Sequence, residues 1–236
     1  FSKSSELMFQ EITPAWLTKY EQFCRTKFGN KTNTIHKDLK FIRKLFNDAI
    51  RQDIIEINQS PFTKYQLKLE KTQRSFLNED ELKLIEDCLV TPGTRLDLHR
   101  DMFVFASYTG GLRVSDILQL QWKNFDGANI LFTIKKTGQQ LSIKLPNKAL
   151  EIIKKYRNEK VEADSFIFPM LTPGLDMKNA RLVDNEISSA TAYINKNLKL
   201  IAQKVGIEKP LSFHISRHTW ATRALRKGIS IDKVSK

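Results

Sequence analysis

The sequence predicts a mainly α-helical protein with one small antiparallel β-hairpin, an α+β fold divided into two domains. Three observations predict it. Apolar residues recur at helical spacing in most segments, a period of two appears only over 130–145, and the polar, basic stretch Lys68–Leu77 resembles a linker between two different parts. We therefore expect an all-helical domain over residues 1–73 and a mixed domain over residues 74–236.

The first helix of the chain has clear start and stop signals. Thr13 is a suitable N-cap and Pro14 a suitable first helical residue, so a helix is predicted from about Ala15 to Phe28. Gly29 is expected to end it.

The second helix is predicted from Thr32 or Asn33 to Arg51 and has two contrasting faces. Its apolar residues recur every three or four positions and predict a buried stripe of Ile35, Leu39, Ile42, Phe46, Ala49 and Ile50. The opposite face carries Lys37, Lys40, Lys44, Asn47 and Arg51. Such a face either contacts phosphates or is simply solvated.

The second domain combines further helices with the hairpin. Asn78 and Glu81 have the spacing of a capping box, with Leu77 placed as a hydrophobic staple. Helices are predicted over Glu79–Leu89, Leu98–Thr109, Ser115–Leu120, Asn147–Glu159, Asn185–Val205 and Phe213–Lys227, the last closed by Gly228. Alternating apolar residues over 130–134 and 141–145 predict a β-hairpin with its tip near Thr137 and Gly138.

Composition and charge restrict the class of partner. The 236 residues include 39 Lys and Arg against 26 Asp and Glu, a net charge of +13, and both predicted domains are basic. This surplus favours nucleic acid as a partner, with an anionic membrane surface second. No apolar run is long enough to span a membrane. The two cysteines, Cys24 and Cys88, lie far apart and outside any Cys/His cluster, which argues against a disulfide scaffold and a zinc site.

The segment from Thr109 to Asp116, with the sequence TGGLRVSD, is a candidate anion site. Its two glycines permit a tight turn, and Arg113 then falls at the start of a helix, where an anion is favoured. Asp116 lies three residues further on, on the same helical side, and is placed to orient Arg113. The alternative is an ordinary glycine turn with a surface Arg–Asp pair.

A second candidate lies in the segment from Phe213 to His218. On a helix, His214, Arg217 and His218 share one face. An arginine inside this triplet and the lack of an acidic third ligand favour an anion over a metal cation. The alternative is a helix with surface histidines. Lys136, in the predicted hairpin tip, is by itself more typical of a solvated lysine.

The order of these features resembles the tyrosine recombinase (phage integrase) family: a TGGLRxSD segment, a hairpin carrying KKTG and then HxxRH. The helical part before them resembles the core-binding domain of that family. The resemblance covers essentially the whole chain. It implies a two-domain clamp on duplex DNA, in which Lys37, Lys40, Lys44 and Arg51 are the candidate DNA contacts.

The resemblance also implies catalytic roles. Arg113 and Arg217 would clamp the non-bridging oxygens of the scissile phosphate, and His214 would share this work and manage protons. Lys136 would protonate the 5′ oxygen of the leaving group. Asp116 would support the first arginine. His218 matches the histidine after the second arginine, and we expect it to have a packing role.

The implied activity is site-specific DNA recombination through a 3′-phosphotyrosyl intermediate, with no metal or other cofactor. The expected partners are double-stranded DNA, three further copies in a tetramer on DNA, and accessory DNA-bending proteins. We expect no membrane association and a cytoplasmic location with the bacterial nucleoid. The favoured function is that of a mobile-element integrase. An Xer-type chromosome dimer resolvase, a non-catalytic DNA-binding protein and a topoisomerase of the same catalytic type are the alternatives.

The nucleophile is the point of departure from the family pattern. In that pattern the nucleophilic tyrosine follows HxxRH, whereas the five tyrosines of this chain all precede His214. We therefore expect the chain to be truncated before its nucleophile and inactive by itself. Tyr108 is close in sequence to Arg113, but it falls on an apolar helix and is expected in the core.

Overall fold

The computed structural model describes residues 6–72, 74–134, 138–157 and 162–232. The chain folds as two compact units, Phe1–Gln73 and Arg74–Lys236. Within the described ranges, no helix combines the length and the apolar character needed to cross a bilayer.

The first unit is built on two helices, α1 (Pro14–Phe28) and α2 (Thr32–Arg51). Thr13 Oγ1 accepts a hydrogen bond of 3.1 Å from the Trp16 N–H, which confirms the predicted cap of α1. The predicted stripe of α2 faces the core: Ile35, Leu39, Phe46 and Ala49 are buried, and Ile42 and Ile50 are half-buried. This burial leaves the basic face of α2 to solvent.

The stretch predicted as a linker is fixed at both ends, each end to its own unit. The Asn33 amide exchanges two hydrogen bonds, both of 2.9 Å, with the backbone of Glu70. In the second unit, the Leu77 N–H donates to Thr219 Oγ1 at 3.0 Å. The described residues of this stretch are mostly exposed, and their backbone is anchored at both ends.

The second unit combines helices with the hairpin. Its elements are α3 (Glu79–Glu86), α4 (Arg95–Tyr108), α5 (Val114–Leu118), β1 (Asn129–Thr133), β2 (Gln140–Lys144), α6 (Asn147–Tyr156), α7 (Ala180–Lys204) and α8 (His214–Arg226). Helix α4 is buried along most of its length and packs against α3, α6, α7 and α8. A turn of two glycines joins α4 to α5, and its Gly111 lies against Arg217 of α8.

Four helices differ at one end from the sequence prediction by three or more residues. Helix α4 begins at Arg95 and not at Leu98, because the Thr94 side chain caps it by accepting from the Asp97 N–H at 3.3 Å, and helix α6 ends at Tyr156 and not at Glu159. Helix α3 ends at Glu86 and not at Leu89, whose side chain is 84% exposed and adds nothing to the apolar face. Helix α7 begins at Ala180, because the Asn179 side chain caps it by accepting from the Leu182 N–H at 3.2 Å.

The predicted hairpin is present. Strand β1 pairs antiparallel with β2 from Asn129 opposite Lys144 to Thr133 opposite Gln140. Beyond the paired strands, the Gly138 N–H donates to the Ile134 carbonyl at 2.8 Å. Residues 135–137, which include the predicted tip, lie outside the described part of the chain.

Candidate active site

The turn between α4 and α5 is shaped by two glycines in the left-handed region. Gly110 has φ +67° and Gly111 has φ +59°, conformations that residues with a Cβ rarely adopt. Gly111 is also in close contact with α8: a Cβ at this position would lie 3.0 Å from Arg217 Cα and 3.1 Å from Arg217 Cγ. Glycine is therefore required here both for the turn and for the approach of α8.

The turn brings the two predicted arginines together. Arg217 Nη1 donates to the Gly111 carbonyl at 3.0 Å, and Arg113 is the N-cap residue of α5, two positions after Gly111. Burial and the Arg113 guanidinium lower the pKa of Arg217, while Asp116 opposes this effect. Even a lowered arginine pKa leaves the group charged, so two cations lie side by side.

Asp116 neutralises only part of this charge. Its carboxylate is buried, and its Oδ2 lies 3.9 Å from Arg113 Nη1, an ion-pair distance too long for a strong hydrogen bond. The predicted ion pair of Asp116 with Arg113 is thus present. A site with two guanidinium groups and one carboxylate has a surplus of positive charge, which suits a phosphate.

The two histidines of α8 lie next to the arginines. The rings of His214 and His218 meet edge to face, with centroids 4.6 Å apart. Partial burial, followed by the charges of Arg217, Arg74 and Arg113, lowers the pKa of His214 below its ordinary value. Burial, His214 and the nearby arginines lower the pKa of His218 in the same way. Both shifts favour the neutral form of the ring.

Arg74 is a member of this cluster that the sequence did not identify. Its side chain is exposed, and its charge acts on both histidines. It belongs to the stretch interpreted as a linker, which carries no motif. The same stretch is anchored to α8 by the hydrogen bond from the Leu77 N–H to Thr219.

The hairpin contacts the glycine turn through Ile143. A Cβ on Gly110 would lie 3.0 Å from Ile143 Cδ1, so β2 packs directly against this turn. Lys136, the predicted general acid, lies outside the described residues, and its role stays a prediction.

The three tyrosines of the second unit contact residues outside the candidate site. The Tyr108 hydroxyl donates to Glu86 Oε1 at 2.7 Å, and the Arg223 guanidinium lies 4.3 Å from the centre of its ring. The Tyr156 hydroxyl donates to Asp101 Oδ2 at 2.8 Å. Tyr193 packs edge to face on His99. Tyr108 packs against the core, as predicted.

No group of three or more His, Cys, Asp or Glu side chains suited to a metal ion occurs among the described residues. The candidate site combines Arg113 and Arg217 with two histidines and Asp116, and the guanidinium charges favour an anion over a metal cation.

The basic face of α2 forms a second candidate surface, in the first unit. Lys37, Lys40, Lys44 and Arg51 are all exposed, as predicted, but Arg51 is paired with Asp48. These residues, with Phe41, Arg43 and Asn47, line a shallow groove of about 430 Å³. Phe41 is 61% exposed. The sequence prediction overlooked this phenylalanine, although its position on the polar face of the helical pattern is a visible signal.

Comparison with known proteins assigns the chain to a family. The model described as "Phage integrase family" matches residues 54–236, and that described as "Phage integrase SAM-like domain" matches residues 1–67. This chain belongs to the phage integrase family, which confirms the resemblance inferred from its motifs.

The chain has similar curated relatives at low identity. "Tyrosine recombinase XerC" of Pelotomaculum thermopropionicum is 29% identical, over 88% of this chain and 67% of the relative. "Tyrosine recombinase XerC-like" of Caldanaerobacter subterraneus subsp. tengcongensis is 24% identical, over 100% of this chain and 66% of the relative. The chain thus spans about two thirds of the length of the curated relatives it matches.

Solved structures share the fold. A lambda integrase(75-356) dimer bound to a COC′ core site matches with a TM-score of 0.70 and 18% identity, covering 98% of this chain and 77% of that chain. The Tn1549 transposon integrase in complex with transposon right end DNA matches with a TM-score of 0.68 and 15% identity, covering 99% and 79%. These matches confirm the predicted fold class, mainly helical with a small antiparallel sheet.

Proposed function

We propose that this protein catalyses site-specific DNA strand cleavage and rejoining at the site formed by Arg113, Arg217 and His214. One observation carries the proposal. The Gly111 turn, α5 and α8 bring the guanidinium groups of Arg113 and Arg217 together with Asp116 and with His214, whose pKa is lowered. This arrangement provides charge for a phosphodiester and a group that can exchange protons beside it.

The two arginines stabilise the negative charge of the scissile phosphate. Each presents a fork of N–H donors to the non-bridging oxygens of the scissile phosphate. Negative charge on those oxygens grows in the pentacoordinate transition state, so fixed guanidinium groups stabilise that state more than the ground state. The hydrogen bond from Arg217 to the Gly111 carbonyl orients one fork before DNA arrives.

The remaining steps transfer protons and exchange bonds. A tyrosine oxygen attacks phosphorus and forms a 3′-phosphotyrosyl bond, while the bond from phosphorus to the 5′ oxygen breaks. Lys136 delivers a proton to the departing 5′ oxygen, and His214 takes or returns the proton of the attacking hydroxyl. The contact of Ile143 with Gly110 supports the placement of the hairpin that carries Lys136 beside the site. A 5′ hydroxyl of a second strand reverses the sequence and rejoins the DNA.

Duplex DNA is the proposed partner, and the basic face of α2 is the proposed contact surface of the first unit. Lys37, Lys40 and Lys44 supply phosphate contacts, and Phe41 supplies an apolar contact of the kind made with thymine methyl groups. Arg51 contributes less, because Asp48 already pairs with it.

A salt series tests this surface. Replacing Lys40 or Lys44 by alanine should reduce the slope of log affinity against log salt by about 0.9 each. Lys83→Ala removes an equal charge from an exposed lysine paired with Asp87 and should leave the slope unchanged. Equal slopes for all three variants would contradict the assignment of the surface.

For the biological substrate, we propose the ends of a mobile element. The two phage integrase models support this class. Chromosome dimer resolution is the second candidate, supported by relatives named XerC and XerD. If the protein recombines the DNA junctions that flank its coding region, the result supports the mobile-element substrate. If it resolves a chromosomal repeat instead, the result supports chromosome dimer resolution. In both, a homotetramer on DNA, accessory bending proteins and a cytoplasmic location with the nucleoid remain part of the proposal.

The decisive test of strand cleavage uses a nicked substrate that loses a short oligonucleotide after cleavage, so that rejoining is blocked. The protein expressed from its whole reading frame should accumulate a covalent protein–DNA adduct. DNA binding without any adduct would favour the non-catalytic alternative and would overturn the proposed activity.

A further inference from the structure

The C-terminal end of α4 is completed by a side chain from another helix. The last carbonyl groups of an α-helix have no N–H partner within the helix. In α4, the Phe105 carbonyl accepts from Thr109 Oγ1 at 2.7 Å, and the Ala106 carbonyl accepts from the Thr109 N–H at 3.4 Å. The next carbonyl, that of Ser107, accepts from Arg223 Nη1 of α8 at 3.2 Å. Arg223 therefore supplies one of the donors that complete the end of α4.

The guanidinium group of Arg223 is itself fixed by further contacts. Its Nε donates to Glu79 Oε1 at 2.7 Å, at the first residue of α3. Its central carbon lies 4.3 Å from the centre of the Tyr108 ring, and the Tyr108 hydroxyl donates to Glu86 Oε1 at 2.7 Å. A cation at the C-terminal end of a helix is also favoured by the helix dipole, and one over an aromatic face by the ring.

The glycine turn of the candidate site begins directly after this completed end. Ser107 lies four residues before Gly111, whose carbonyl accepts from Arg217 Nη1 at 3.0 Å. Arg217 and Arg223 both belong to α8, so two arginines of one helix bind the two ends of segment 107–111. Arg113 follows this segment by two residues. The relative position of Arg113 and Arg217 therefore depends on how firmly the segment is held to α8.

We propose that Arg223 is a positioning residue for strand cleavage, which acts through segment 107–111 and not by contact with DNA. The proposal rests on the proposed function, because it assumes that Arg113 and Arg217 bind the scissile phosphate. Without Arg223 the end of α4 would be held less firmly to α8, and the two guanidinium forks would lose their alignment. The basic face of α2 would be unaffected. The rate of cleavage should therefore fall while DNA affinity changes little.

The experiment measures DNA affinity and the rate of adduct formation on the nicked substrate at saturating protein. It uses the protein expressed from its whole reading frame, at a temperature at which unfolding curves show each variant to be fully native. Arg223→Gln should form the adduct about 10- to 100-fold more slowly than the wild type, with an affinity within about threefold. Arg223→Lys keeps the charge and a donor, and it should recover part of the rate.

Arg100→Gln is the matched control. Arg100 is another largely buried arginine of the second unit, with 16% of its side chain exposed against 12% for Arg223. It also pairs with a carboxylate, that of Asp97, and donates to a backbone carbonyl, that of Cys88, at 2.8 Å. These partners lie outside segment 107–111, so Arg100→Gln should lose stability but keep the wild-type rate. The Arg223 proposal is overturned if Arg223→Gln also cleaves at the wild-type rate, or if its main effect is on DNA affinity.

A second measurement does not depend on cleavage. The NMR order parameters of the Gly110 and Gly111 amides should be about 0.85 in the wild type and in Arg100→Gln, and below about 0.6 in Arg223→Gln. Equal order parameters in all three proteins would overturn the proposal as well. If the wild type forms no adduct, the proposed function fails, and the order parameters alone decide whether Arg223 fixes the turn.

Discussion

Arg217 and Gly111 are in direct contact, through a hydrogen bond and through the close approach of their backbones. The Arg217 guanidinium donates to the Gly111 carbonyl at 3.0 Å, and the Gly111 Cα faces the Arg217 Cα with no room for a side chain between them. The turn after α4 and the first part of α8 therefore act as one support for the two arginines.

This relationship predicts the effect of Gly111→Ala. A methyl group there must displace α8 or the turn, and the left-handed backbone adds strain, so the free energy of unfolding should fall by about 1–3 kcal/mol. Strand cleavage should fall much further, since a shift of Arg217 misaligns its donors. Unfolding by denaturant and adduct formation on the nicked substrate measure the two effects.

Gly174→Ala provides the control for that substitution. Gly174 also has a positive φ, of +78°, but a Cβ there would meet open space. Gly174→Ala should lower the free energy of unfolding through backbone strain but should leave strand cleavage unchanged. Equal cleavage by the two variants would contradict the proposed packing constraint.

The histidine beside the arginines should respond to their removal. Because the positive charge of Arg217 disfavours protonation of His214, the variant Arg217→Gln should raise the pKa of His214. Titration of the histidine ring signals by NMR measures this directly. In Arg181→Ala the pKa of His214 should stay as in the wild type, and an unchanged pKa in both variants would show that the two side chains do not interact.

Local sequence signals predicted much of this fold. The capping box of Asn78 and Glu81 is present with both hydrogen bonds, at 2.7 and 2.8 Å. The apolar stripe of α2 and the alternation in the hairpin were confirmed as well. Each of these patterns depends on side chains a few residues apart, so the sequence displays it directly. The predicted α3 was too long because it included the apolar Leu89. Periodicity alone does not reveal that such a residue is exposed.

The site was predicted only in part, because contacts between distant segments complete it. The motifs identified Arg113, His214 and Arg217, which the structure brings together. The hydrogen bond between Leu77 and Thr219 joins residues 142 positions apart, and no local pattern indicates it or the effect of the Arg74 charge on the two histidines. Lys136 was identified only by resemblance to the family.

A buried histidine away from the site should govern stability in mild acid. His99 is fully buried, its Nδ1 lies 3.0 Å from Asn197 Nδ2 and its Nε2 3.2 Å from Met170 Sδ. Burial, reinforced by Arg95, lowers the pKa of His99 from 6.5 to about 4. In the unfolded chain the ring binds a proton near pH 6.5, so protonation favours unfolding.

This stabilisation is complete above pH 6.5 and is lost as the pH falls towards 4. The lost stability attributable to His99 should reach about 3 kcal/mol. In His99→Gln, stability should depend less steeply on pH across this window, while the other histidines contribute alike in both proteins. Denaturant unfolding at several pH values measures the difference, and parallel curves would show that His99 titrates normally.

The proton donor to the leaving group is tested with sulfur in place of the scissile 5′ oxygen. A thiolate departs without a proton, so Lys136→Ala should cleave the sulfur substrate almost as well as the wild type while failing on the ordinary one. Lys135→Ala should behave like the wild type on both. If Lys136→Ala were equally defective on the two substrates, Lys136 would only bind phosphate. Lys135 would then be the first candidate for the general acid.

The central claim is that Arg113 and Arg217 act on the charge of the scissile phosphate. The most direct measurement is the single-turnover rate of covalent adduct formation on the nicked substrate, for the wild type and for Arg217→Ala at saturating protein. We predict a rate lower by a factor of about 10²–10³, which sulfur at the 5′ position does not restore. A rate within threefold of the wild type, or full recovery on the sulfur substrate, would contradict the claim.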